Sequence, residues 1–135
     1  MQICGFLFFS RRYNLLNSMK KPLLLFITFI NFSCNAQDCN SLPSKFNSYN
    51  QAISTIERSS FKINESVNTS KSSWIRSAHY YSCNGQTGYF IIQEKNKIYI
   101  HAYLPISVWH QFKNANSFGS FYDHNIKGKY KLYLN

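Results

Sequence analysis

Acidic residues are scarce in this chain: its 135 residues hold five Asp and Glu against fifteen Lys and Arg. No carboxylate stands at a ligand spacing from His79, His101, His110 or His124, so no metal centre is expected. Glycine is also sparse, at five residues. The glycine-rich patterns that cradle phosphate are missing, and Ser117-Phe118-Gly119 reads as a helix cap and turn. The four cysteines include no CxxC pair, which weakens metal and thiol-redox readings alike. The apolar runs fall short of the ~20 residues that a membrane-spanning helix requires. Internal repeats and low-complexity linkers are absent as well. No catalytic residue, metal ligand or cofactor is assigned.

What is present begins with a leader. Met19-Lys20-Lys21 is followed by the apolar run Pro22 to Ile30 and by the small residues Ser33, Cys34 and Ala36. A basic head, a run of roughly 7–15 apolar residues and a small-residue cleavage site describe a secretory signal peptide. Residues 1–36 are therefore expected to be a leader cleaved after Ala36, with Met19 a candidate true start. The expected location is secreted or periplasmic. The rival reading is a lipoprotein anchored through Cys34, which directly follows the apolar run; either way, membrane contact comes only from the signal peptide or a lipidated Cys34. Cleavage leaves Cys39 and Cys83, and two cysteines in an exported chain point to a disulfide. It also removes four of the fifteen cations and no acids, so the formal charge of +10 falls to +6. That balance favours anionic partners.

Leu42, Phe46, Tyr49, Ile53 and Ile56 recur at helical spacing and predict a helix over residues 41–57, capped by Ser41 or Ser44. With the polar connector that follows, it forms an N-terminal segment, residues 37–71. Residues 61–67 alternate apolar and polar and predict a short edge strand. Three further strands follow, over 74–82, 89–92 and 98–104, with turns at Asn84-Gly85 and Lys95-Asn96. In the last strand, strict alternation sets Ile98, Ile100, Ala102 and Leu104 on one face and Tyr99, His101 and Tyr103 on the other. Pro105 ends that strand. Ile106, Trp109, Phe112 and Ala115 predict one C-terminal helix, and Phe118, Tyr122, Ile126 and Tyr130 predict a second helix or helical turns. The expected fold class is α+β: a three- to four-stranded antiparallel β-meander packed by an N-terminal helix and one or two C-terminal helices.

Four ordered elements recur over residues 72–132: Ser73-Trp74-Ile75, then Tyr99-Ile100-His101-Ala102-Tyr103-Leu104-Pro105, then Ala115-Asn116-Ser117-Phe118-Gly119, then Ile126-Lys127-Gly128-Lys129-Tyr130. In this order and spacing the stretch resembles the KTSC domain, a small bacterial module also found at the C-terminus of some lysyl-tRNA synthetases. His101 stands where the family pattern has a second tyrosine, and Leu104 where it has valine. The resemblance implies Trp74, Ile75, Pro105, Ser117, Gly119, Ile126 and Tyr130 as motif positions. It also implies an RNA link, because RNA binding has been suggested for that family.

Tyr99, His101 and Tyr103, with the basic Lys127 and Lys129 near the C-terminus, form the candidate binding surface. Aromatic side chains of this kind stack bases or sugars. The functional expectation is an exported, non-enzymatic binding module that meets a protein or an anionic polymer at the cell envelope. One alternative is a nucleic-acid-binding module, by family analogy. The other is a thiol-dependent enzyme with Cys83 as nucleophile and His79 or His101 as base.

Overall fold

A computed structural model describes residues 37–135. The signal-peptide and lipidation expectations, with Cys4 and Cys34, lie outside the described residues. The elements in chain order are a short 3-10 turn (Cys39–Ser41), α1 (Tyr49–Arg58), β1 (Ile63–Ser66), β2 (Ile75–Ser82), β3 (Thr87–Glu94), β4 (Lys97–Pro105), α2 (Ile106–Lys113) and α3 (Phe118–Asn125). The strands form one antiparallel sheet in the order β1-β2-β3-β4. This is the expected α+β meander, with one helix before the sheet and two after it.

The first helix starts later than its apolar spacing predicts. Ser48 is the N-cap, accepting from Gln51 N at 3.2 Å, while the Gln51 side chain reaches back to Asn47 N at 2.8 Å. This reciprocal capping fixes the start at Tyr49 rather than near Ser41 or Ser44. Upstream, Phe46 is extended, bridged in parallel to Leu134, and buried. Leu42 and Phe46 thus reach the same apolar cluster as Ile56 without being helical.

Loops are tied by local polar bonds. Asn84 Oδ1 accepts from Gln86 N and Thr87 N, and Gly85 takes a positive φ of 79°. The β2–β3 connection is therefore a four-residue loop that includes Cys83, wider than the two-residue turn that Asn-Gly favours. Cys39 and Cys83 are brought into disulfide pairing there, with Cα atoms 5.9 Å apart. Among the described residues no helix is long and apolar enough to cross a membrane.

The sheet is covered on both faces. One face packs Tyr80, Phe90 and Ile92 against Trp109 and Phe112 of α2 and Phe118 and Tyr122 of α3. The Tyr80 ring stacks on Trp109, centroids 5.5 Å apart, and its hydroxyl donates to the Leu104 carbonyl at 3.0 Å. The opposite face packs Tyr81, Ile91, Ile100 and Ala102 against Phe46, Ala52, Ile56 and Leu132. The chain after α3 crosses from one side to the other, turning at Gly128 (φ 78°) and ending in the Phe46–Leu134 bridge.

Strict alternation fails in β4. Phe90 pairs with His101 and Gly88 with Leu104, so the single residue Tyr89 faces both Ala102 and Tyr103. This is a β-bulge, and Tyr103 absorbs it with a φ of 59°. Leu104 consequently joins the α2–α3 core and not the face of Ile100 and Ala102.

Candidate binding groove

The three residues expected to share an exposed face do not: the bulge re-aims Tyr103, and the α2–α3 side of the core covers Tyr99 and His101. Tyr103 is 71% exposed, Tyr99 is half-buried against the helices, and His101 is only 7% exposed. A stacking platform made of all three is therefore not formed. His101 sits edge-on to Tyr122 and near Phe90. Its Nδ1 lies 2.8 Å from the Tyr130 carbonyl and its Nε2 lies 3.1 Å from the Tyr122 hydroxyl. A carbonyl only accepts, so Nδ1 carries the proton, and Nε2 of the neutral ring accepts from the Tyr122 O–H. Burial lowers the His101 pKa, opposed by the bond to Tyr130, and burial raises that of Tyr122. The bond to Tyr130 pins the C-terminal strap, residues 127–135, beside β4.

The other candidates are dispersed. Lys127 pairs with Asp123 at 3.1 Å and lies over the Tyr122 ring, while Lys129 is exposed. The pairing is the first cause raising the Lys127 pKa. His79 and His101, the alternative bases of the enzyme reading, are separated by β3, each facing a different residue of that strand. Among the described residues no three His, Cys, Asp or Glu side chains gather as a metal set.

The motif positions are accounted for by packing. Ser117 caps α3, accepting from Ser120 N at 3.3 Å. Gly119 leaves room for the Trp74 indole: a Cβ there would lie 2.5 Å from the ring. Ile75 and Ile126 are core, and Pro105 links β4 directly to α2. Tyr130 contributes its carbonyl to His101, as above.

Sequence reasoning missed two sites. The first is Glu65 on β1, whose Oε2 accepts from Trp109 Nε1 and Lys113 Nζ, both at 2.7 Å. Those two bonds are the leading causes that lower its pKa. The second is a groove of about 680 Å3 between the outer side of β4 and the strap. Tyr49, Ile98 and Tyr133, exposed at 51%, 48% and 70%, line it, and Lys131 adds a cation. Together with Tyr103 these are all the exposed large apolar side chains among the described residues, so three of the four line one groove and the fourth stands on the same strand. The only sequence signal for it was Ile98 at a strand start; Tyr49 and Tyr133 come from opposite ends of the described chain. A separate cleft of about 750 Å3 lies between Trp74, Tyr99 and the Lys95-Asn96 turn, with the buried Glu94 Oε1 unpaired in it.

Comparison of the chain with protein-family models, with curated proteins and with solved structures gave no match.

Proposed function

We propose that this chain is a small exported binding module whose contact surface is the groove beside β4. The carrying observation is the gathering of Tyr49, Ile98 and Tyr133 in one groove with Lys131, with Tyr103 close by in the strand, while the other large apolar side chains among the described residues are buried or half-buried. Contiguous exposed apolar surface of this kind marks interaction sites. Exportation is supported by the leader and by the Cys39–Cys83 pairing, which suits an oxidising compartment. That pairing also occupies the thiol an enzyme reading would need. The resemblance to KTSC domains is proposed as kinship of fold: its motif residues cap, pack and turn the chain, and none of them forms an exposed ligand set.

The test uses the full chain as bait for proteins of the exported fraction, against a Tyr49→Ser/Tyr133→Ser variant of unchanged Tm. A partner retained by the parent and released by the variant is the expected result. Identical capture by both would sink the groove as the contact surface.

A further inference from the structure

We infer that the groove is filled by strand addition: an extended, acidic segment of a partner protein pairs with the outer edge of β4 as a fifth strand. The inference rests on the groove reading above and specifies its mode and ligand chemistry.

Hydrogen-bond alternation carries it. Val67 N donates to Ala78 O, so even-numbered residues of β2 near there turn their backbone groups toward β1. Ser77, His79 and Tyr81 therefore face β3, and Phe90, Ile92 and Glu94 of β3 face β4. Their partners His101, Tyr99 and Lys97 are turned inward. That leaves the N–H and C=O of Ile98 and Ile100 directed outward, and no hydrogen bond reaches them among the described residues; Ile98 is exposed, while Ile100 is buried at the floor of the groove. The strap runs nearby but bonds elsewhere, to Phe46 and His101. An unpaired edge with an apolar trough beside it is the geometry used in β-augmentation, where main-chain bonds supply affinity and alternate side chains supply specificity.

Charge selects the occupant. Lys97 precedes the outward pair, Lys131 lines the groove, and no Asp or Glu lines it. A second copy of this chain would bring the lysines of both molecules into one interface, which is how natural edges resist self-pairing. A segment alternating apolar with acidic residues meets the trough with one face and the lysines with the other.

The probe is a labelled heptapeptide alternating valine and glutamate, with a valine–lysine heptapeptide as its counterpart, titrated into the full chain. Ile98→Pro deletes the outward N–H while sparing the β3–β4 ladder, so it is tolerated at an edge. Expected are binding of the glutamate peptide, at least roughly tenfold weaker binding of the lysine peptide, and a similar loss in Ile98→Pro. Hydrogen exchange on the parent chain gives a readout independent of any variant: the Ile98 and Ile100 amides slow when peptide is bound. Binding without that protection, or equal binding of both peptides, overturns strand addition. Failure of the glutamate peptide to bind overturns it too, while the groove reading is still judged by the Tyr49/Tyr133 variant. Displacement by a single-stranded oligonucleotide with both amides unprotected would reassign the groove to nucleic acid. Dimerisation abolished by Ile98→Pro would reassign it to a second copy.

Discussion

The two edges of the sheet are built in opposite ways. β1 is four residues long, polar at Asn64 and Ser66, and fastened to α2 through Glu65. β4 is nine residues long, exposes Ile98, and borders a trough of exposed aromatic rings. Short polar strands and tethering helices are how sheets keep an edge from recruiting other chains. One edge of this molecule is protected in that way and the other is left open. The difference teaches that the apolar surface at β4 is not a by-product of a small or loose fold, since the same fold keeps β1 short, polar and tethered.

The largest expected effect comes from breaking the closed side. Trp109 is fully buried, stacks on Tyr80 and donates to Glu65. Trp109→Ala should cost about 3–5 kcal/mol through the cavity, with the loss of a donor to Glu65 added. Urea denaturation measures it. A loss below about 1 kcal/mol would mean that α2 does not anchor that edge.

A smaller effect separates the edges by pH. His101 holds the strap at the open side, and burial lowers its pKa below the unfolded value near 6.5. Above that value both folded and unfolded states are neutral and the contribution is fully present. As pH falls through about 6.5 the unfolded chain takes up the proton first, so stability drops, by at most about 1.4 kcal/mol per pH unit, until the folded pKa is passed. The groups facing His101 are Tyr122 from α3, Tyr130 from the strap and Phe90 from β3. Glu65 at the closed edge titrates in the other window. Its pKa is lowered, so its contribution is present above the ordinary carboxylate value and fades as pH falls through the lowered one. With 41% of its side chain exposed, that contribution is screened to under about 1 kcal/mol. Thermal unfolding from pH 7 to 5 should therefore show the strap-side loss first, and a His101→Gln variant should lack that slope. An unchanged slope in the variant would locate the titration elsewhere.

Much of the fold could be read from the residues, because it depends on local pattern. The meander follows from alternation and from Asn84-Gly85; α2 and α3 follow from apolar spacing, Pro105 and the Ser117 cap. The start of α1 was misplaced because Leu42 and Phe46 continue its apolar stripe, whereas the Ser48–Gln51 cap decides where helical bonds begin. The groove was not legible. It depends on strand order, which makes β4 an edge, and on a strap joined to Phe46 across nearly the whole described chain. The exposure of Tyr103 was not legible either, because it depends on one inserted residue in β4, which shifts every later side chain to the other face.

That inserted residue gives the smallest and most discriminating prediction. Tyr103 occupies the left-handed region at φ 59° with its ring 71% exposed, whereas no residue of β1 has a positive φ. Left-handed backbone costs roughly 1–2 kcal/mol for an ordinary L-residue, and asparagine tolerates it better. So exposed a ring has little packing to lose. Tyr103→Asn should therefore stabilise the domain by about 0.5–1 kcal/mol, read as a higher urea midpoint at unchanged slope. If the variant is instead destabilised, the ring is held by contacts and the strain at the open edge is structural. If it is stabilised, the molecule carries a strained, exposed tyrosine on its long edge strand, and tolerates there a cost that β1 does not bear.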